Sequence, residues 1–296
     1  AVLKGQSRTW TIGEFDTLTL QTTMMTLWPP SDIPDLTGTW ITSDKPVAAF
    51  TGVDMSMAVF HDPEVIDPCC AEHIEQQVIP SKSMGRKFVV ARSAIRSWDN
   101  PEQDLYRIIA YTDGTVVETN LVPPDDTFNL NAGEYHEFWS AEGFTVDSTG
   151  PLHVAQILAV GTDAINADWD AKGDSALLYV PAVEQRRPLY LFTTGEGFTL
   201  NYAVISKPAG VTATIDGFAV NAPLCYGPLP NGTLDGIDYE MWQCEIAEGV
   251  HTVHSGEQAA GATEPIAVFV YGYYNAGSYA YPAGADLKPV NELSPN

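Results

Sequence analysis

Helical periodicity is nearly absent from this chain, and that absence limits its fold more than any other feature. In its place stand short runs rich in β-branched and aromatic residues, closed by Gly, Pro and Asp. Examples are Lys87-Phe-Val-Val-Ala91, Leu105-Tyr-Arg-Ile-Ile-Ala110, Thr115-Val-Val-Glu-Thr119, Leu189-Tyr-Leu-Phe192, Thr199-Leu-Asn-Tyr-Ala-Val-Ile205 and Ile266-Ala-Val-Phe-Val-Tyr271. Side chains of this kind fit a pleated, half-buried surface, and runs of this length read as strands. Asp113-Gly114 lies between two of them and predicts a hairpin turn. One short helix is expected over Ala71-Glu-His-Ile-Glu-Gln76. Strands at this density predict an all-β fold of antiparallel sandwiches.

One element recurs three times. It reads Trp40-Ile-Thr-Ser43-Asp-Lys-Pro46-Val-Ala-Ala-Phe50-Thr-Gly52 and returns as Phe144-Thr-Val-Asp-Ser148-Thr-Gly-Pro151-Leu-His-Val-Ala-Gln-Ile157, closing at Gly161. A third copy, with a longer insertion, runs from Val253-His-Ser255 to Pro265-Ile-Ala-Val-Phe-Val-Tyr-Gly272. Each copy predicts a strand, a Ser-containing turn, a Pro and an apolar strand ending at Gly. Proline suits the first residue of a strand, which need not donate to the ladder. Glu75-Gln76 has a counterpart in Glu184-Gln185, Gly52-Val-Asp54 in Gly161-Thr-Asp163, and the run Tyr106 to Gly114 in Tyr202 to Gly210. Elements repeating in one order predict tandem sandwich units with internal structural repeats. The expected division is a partial repeat over 1–55, a first unit over 56–165 and a second over 166–296. The partial copy is expected to complete its sheet by packing on the C-terminal unit or by pairing an edge.

Composition narrows the function. Hydrophobic residues make up 45% of 296, enough for real cores. Asp plus Glu number 38 against 14 Lys plus Arg, a net charge of −24. Such a surface repels nucleic acid and anionic membrane and favours cations or basic partners. No apolar run approaches the ~20 residues of a membrane helix, so membrane insertion is not expected. The four cysteines show no CxxC spacing and predict disulfides in an oxidising compartment, hence a secreted or cell-surface protein. Cys225 and Cys244 flank the insertion Tyr226-Gly-Pro-Leu-Pro-Asn-Gly-Thr233 and are the preferred pair, though four cysteines allow three pairings. Their bridge is expected to add about 3 kcal/mol. Cys69 and Cys70 are the other disulfide candidates. With His61 and His73 they form a soft-metal set if reduced.

Catalytic signatures are lacking: no HExxH, no GxSxG. His251 and His254 fall on opposite faces of one strand, which argues against a shared metal. The acidic stretch Asp163, Asp168, Asp170, Asp174 is the calcium candidate, because alternating carboxylates around Gly173 supply hard oxygen ligands. Tyr271, Tyr273, Tyr274 and Tyr279 are the ligand-binding candidates, as rigid rings with polar tips that stack on sugars or grip proteins. Asn231-Gly232-Thr233 is a glycosylation sequon.

Along most of its length the chain resembles the N-terminal domain of the IgGFc-binding protein family. The resemblance runs in order through Leu36 to Gly52, Cys69-Cys-Ala-Glu-His73-Ile-Glu-Gln76 and Gly85-Arg-Lys-Phe-Val-Val-Ala91. It continues through Tyr106-Arg-Ile-Ile-Ala110, Gly173-Asp174, Val180-Pro-Ala-Val-Glu-Gln185, Tyr202-Ala-Val-Ile205, Pro208-Ala-Gly210 and Ile215-Asp-Gly217. The acidity points to the version met in bacterial surface proteins. The resemblance implies an extracellular recognition or adhesion module joined to further domains, non-catalytic, binding protein or glycan through sandwich loops. It carries over no Fc-contacting residues. The alternatives are a structural spacer in a larger surface protein and a hydrolase with a dispersed site.

Overall fold

The computed structural model describes residues 5–22, 35–58, 71–96, 101–161, 173–256 and 263–291. Among these the regular elements are strands, apart from two short 3-10 turns. β1 (Phe50–Ser56) and β2 (Glu72–Gln77) form a two-stranded antiparallel ribbon. The first large sheet has seven strands: β3 (Gly85–Val90), β4 (Asp104–Ala110), β5 (Thr115–Thr119), β6 (Thr127–Leu130), β7 (Tyr135–Ser140), β8 (Phe144–Ile157) and β9 (Leu177–Tyr179). The central sheet is ordered β14 (Cys225–Leu234), β15 (Ile237–Ile246), β11 (Leu200–Pro208), β17 (Ala267–Tyr274), β18 (Gly277–Pro282). The outer sheet is ordered β10 (Leu189–Thr193), β16 (Val250–Ser255), β12 (Ala213–Ile215), β13 (Phe218–Ala219). All the pairings are antiparallel.

The central sheet is buried on both faces, and its sequence says why. Along β17, Ala267, Phe269, Tyr271 and Tyr273 join one core with Phe88, Tyr106, Phe144 and Leu152 of the first sheet. The alternate residues Val268 and Val270 join a second core with Phe192, Ile215 and Val253 of the outer sheet. A strand covered on both sides reads as a continuous apolar run rather than an alternation. β16, by contrast, buries every second residue, as a strand with one wet face must. Each fully buried Phe or Val contributes roughly 1.5–3 kcal/mol over its exposed state.

The repeat has a structural signature. Ser43 Oγ donates to the Lys45 carbonyl at 2.6 Å, and Ser148 Oγ donates to the Gly150 carbonyl at 2.7 Å, each just ahead of its Pro. In the middle copy this turn does not end the strand: β8 runs on through Ser148–Pro151 and exchanges partners there. Its first half pairs with β3 and β5, its second with β4 and β9.

Three local expectations are corrected. Ala71–Gln76 is no helix: residues 72–77 form β2, held by Ile74 packing on Ala155 and Leu177. Asp113-Gly114 joins β4 and β5, which do not pair with each other but both pair with β8. Tyr226–Thr233 is not a loop: it lies in β14, the edge strand of the central sheet.

The N-terminal region is tied to the first sheet. Arg107 Nη1 bonds Asp35 Oδ2 at 2.9 Å and Thr37 Oγ1 at 2.8 Å, and Trp40 packs edge-on against Tyr111 at 4.3 Å.

Candidate functional site

Two terminal strands, β10 of the outer sheet and β18 of the central sheet, leave a gap between their edges. The gap is an open groove of about 600 Å³ lined by Leu191, Thr193, Gly195, Phe198, Tyr279 and Tyr281, among others. Phe198 meets the Tyr279 ring edge-on at 4.7 Å, and Tyr279 and Tyr281 lie 6.0 Å apart. Glycine at 272 and 195 makes room for the Tyr279 ring, since a Cβ at either position would collide with it. The Tyr279 hydroxyl donates to Asn201 Oδ1 at 2.7 Å, and burial pushes its pKa up to about 12. The Tyr281 hydroxyl donates to the Thr193 carbonyl. Both rings are thereby pinned with part of their surface in the groove. Leu191, 69% exposed, forms the opposite lip. Rigid aromatic surface beside two terminal strands, bridged at one point by the Tyr281–Thr193 bond, suits the docking of an apolar segment.

The four tyrosines singled out from sequence are separated by the strand pleat. Tyr271 and Tyr273 are 0% and 1% exposed and offer no ring face to a ligand. Their hydroxyls reach Gln156 Oε1 at 3.1 Å and the Ala94 carbonyl at 3.3 Å. Tyr274 is exposed, and Tyr279 lies in the groove. Tyr281, which closes the tyrosine-rich stretch that begins at Tyr271, also lies in the groove. Leu191 and Phe198 are not among the sequence candidates, although Leu189-Tyr-Leu-Phe192, apolar at every position, is the signal of a strand with two apolar faces.

Between the first and central sheets lies a buried ionic network. Arg96 Nε bonds Glu102 Oε1 at 2.9 Å, and Arg96 Nη2 donates to the Ala159 carbonyl at 2.9 Å. Arg92 Nη1 donates to the Ala141 carbonyl at 2.8 Å. Gln156 Nε2 donates to Asp104 Oδ2 at 2.8 Å, and burial raises Asp104 above the usual carboxylate range against the pull of Arg92. Backbone carbonyls and carboxylates take up its guanidinium groups, and through Gln243 and Tyr273 the network ties the two sheets together.

Of the acidic set, Asp163, Asp168 and Asp170 lie outside the described residues, as do Cys69, Cys70 and His61. Asp174 is fully buried. Its Oδ1 accepts from the Ser175 N–H at 2.7 Å, while Oδ2 has no partner. Burial pushes its pKa up to about 6, with Glu72 adding to the rise and Ser175 and Arg96 opposing it. Among the described residues no group of three or more His, Cys, Asp and Glu side chains is arranged to hold a metal ion.

Among the described residues, His251 and His136 have structural partners. His251 lies with Nδ1 2.7 Å from Asp216 and Nε2 2.8 Å from the Ala247 carbonyl, so neither nitrogen is free for proton transfer. His254 occupies the other face of β16, as the spacing predicts. His136 Nε2 meets Asp125 at 2.7 Å, and its ring packs at a tilt against Phe128, 4.1 Å between centroids. Burial lowers the His153 pKa to about 4.

Cys225 and Cys244 are bonded, directly opposite each other in the β14–β15 register. Asn231 is 0% exposed, with Nδ2 donating to Ser206 Oγ at 2.9 Å. The folded chain therefore cannot carry a glycan at this sequon. No helix among the described residues is long and apolar enough to cross a membrane.

No curated protein and no solved structure matches the chain. A family model described as IgGFc binding protein matches residues 1–272. The match ends within β17, so Tyr279 and Tyr281 fall beyond it. Covering most of the sequence, it spans the motifs from Leu36 to Gly217. The chain belongs to the IgGFc-binding protein family.

Proposed function

We propose that this chain is a secreted or cell-surface recognition module, non-catalytic, that binds an extracellular protein along the β10–β18 groove. The observation that carries the reading is the groove itself, where pinned aromatic rings line a gap between two unpaired sheet edges. Family membership and the Cys225–Cys244 bridge support an extracellular setting. A docked segment would gain apolar contact with Leu191, Phe198 and the two pinned tyrosine rings.

The test is surface plasmon resonance with the immobilised chain. IgG Fc, the ligand in the family's name, heads a panel of secreted proteins and surface glycans. Saturable binding to a protein, abolished by Leu191→Arg with the melting temperature unchanged, is expected. Binding confined to glycans, or protein binding that survives Leu191→Arg, overturns the reading. A panel that yields no binding favours the spacer role instead. The acidic stretch around Asp174 is proposed as a calcium site, and melts in chelator and in calcium test it. At a hundred times its Kd, calcium should add about 2.7 kcal/mol.

A further inference from the structure

A second, smaller cavity lies on the far side of β18 from the groove, and polar groups in it lack partners among the described residues. We propose that this cavity receives the acetamido group of an N-acetylhexosamine, so that the chain also binds glycan, at a place of its own. The site is separate from the groove, and either can fail without the other.

Three pieces of chain, far apart in sequence, build the cavity: the end of β2, the stretch after β9 and the tail that follows β18. Ile74 and Gln76 share the face of β2 turned to the first sheet, and Leu177 and Tyr179 share one face of β9. Ile74 packs on Leu177, which brings Gln76 and Tyr179 to line the cavity one step further along. At the end of β18 the alternation sends Tyr281 and Ala283 to the groove, and Pro282 and Gly284 to this cavity. Hydrogen bonds fix the walls in advance. The Asp286 N–H donates to the Gln185 carbonyl at 2.9 Å, and Ser83 Oγ donates to the Leu287 carbonyl at 3.2 Å. Pro282 and Leu287 lie beyond residue 272, where the family match ends.

Gln76 and Gln185, equivalent residues of the repeat, meet in this cavity in different states. Gln185 is buried and uses its amide within the fold, accepting from the Ala182 N–H at 3.0 Å and donating to the Ser83 carbonyl at 2.6 Å. Gln76 is half-buried, and among the described residues neither its amide nor the Tyr179 hydroxyl has a hydrogen-bond partner. Burial pushes the Tyr179 pKa up to about 12, with no bond opposing the rise. Sheltered polar groups of this kind are satisfied best by a ligand's own donors and acceptors. The Gln76 carboxamide carries a donor and an acceptor, and a secondary amide offers the complementary pair. Ile79, Pro181, Pro282 and Leu287 add apolar wall for a methyl group. Among the described residues no charged side chain lines the cavity, although the chain carries a net charge of −24, so a neutral ligand fits. An acetamido group unites the amide and the methyl. The cavity, about 150 Å³, equals the liquid volume of roughly five waters, room for that group and the edge of one sugar ring. The extracellular setting argued above makes an amino sugar the source of the group, rather than an acetylated lysine.

Saturation-transfer NMR on the whole chain tests the proposal. N-acetylglucosamine and N-acetylgalactosamine are the probes, with glucose, galactose and acetyl-lysine for comparison. At least one acetamido sugar should bind, with the strongest transfer at its acetamido methyl, and the two plain hexoses should bind about tenfold more weakly or not at all. Gln76→Leu and Tyr179→Phe should each raise the Kd about five- to tenfold, the loss of one or two hydrogen bonds, at unchanged melting temperature. Leu191→Arg should leave sugar binding intact. Absence of transfer to both acetamido sugars at tens of millimolar overturns the inference, as does equal binding of the plain hexoses. Sugar binding that survives both cavity variants overturns it too, and so does binding of acetyl-lysine alone. Sugar binding lost with Leu191→Arg would place the sugar in the groove and overturn the second site. Protein binding lost with Leu191→Arg, beside sugar binding lost only with the cavity variants, is the result expected if both readings hold.

Discussion

β17 and β1 carry copies of one repeated element in opposite surroundings. Phe269 and Phe50 each stand four residues after the Pro that opens the element. Phe269 is 1% exposed, between β11 and β18 with a sheet on either face, whereas Phe50 is 60% exposed on a ribbon with a single partner. The run up to that phenylalanine is apolar in both places, Val47-Ala-Ala-Phe50 and Ile266-Ala-Val-Phe269. Apolarity thus states that a strand is to be covered, while the cover comes from elements far away in sequence, or from another molecule.

The contrast is open to direct attack. Phe269→Ala should destabilise by about 3–5 kcal/mol, through lost burial and an unfilled cavity. Urea unfolding measures it, and a cost near zero would erase the difference between the two copies. Replacing both Cys225 and Cys244 with Ser should cost about 3 kcal/mol by releasing the loop they close. That loss belongs to the edge of the sheet containing β17, and it should appear as a lower urea midpoint under non-reducing conditions only.

Two buried groups should oppose each other with pH. His153 on β8 titrates at about 4 when folded against 6.5 for the free side chain. The unfolded chain binds the extra proton between those values, so His153 makes stability rise with pH across that window. Asp174, whose N–H bonds Ser278 Oγ beyond β17, titrates at about 6 against 3.8. Its stabilising contribution is present below the lower value and is lost as pH rises to the upper one. Asp174→Asn should therefore steepen the climb of melting temperature between about pH 4 and pH 6. A fall in that window would mean that His153 is protonated in the folded state. The smallest effect is expected in β1: Phe50→Ala should lie within about 0.5 kcal/mol of wild type for the isolated chain.

Much of the fold was legible because its signals are local. β-branched and aromatic runs marked the strands, and the Ser-x-x-Pro spacing marked a turn that forms the same hydrogen bond at Ser43 and Ser148. The bonded pair Cys225–Cys244 is the one preferred among the three pairings the sequence allows, and the opposite faces of His251 and His254 follow from their spacing. β2 escaped notice because Ile74 is its one buried residue, and its strand identity comes from β1 alongside and β9 beneath. Asp113-Gly114 looks the same whether the strands it joins pair with each other or with a third. The groove was the least visible feature, since its two walls come from strands at opposite ends of the C-terminal half. Tyr271, Tyr273 and Tyr279 read alike as a tyrosine series, and only the pleat tells which of them face the core.

The inaccessible side chain of Asn231 has a consequence for making this protein. Oligosaccharide transfer to a nascent chain precedes folding, so a eukaryotic secretory pathway would modify Asn231-Gly-Thr233 before β14 closes onto its neighbours. The sugar would then occupy the space that Ser206 and Gly143 fill in the folded molecule. Such a host should divide its output between folded, unmodified chains and glycosylated chains trapped short of the native state. A Thr233→Val or Thr233→Ala change, at an exposed-edge hydroxyl bonded to Asp238, would remove the acceptor site and recover yield.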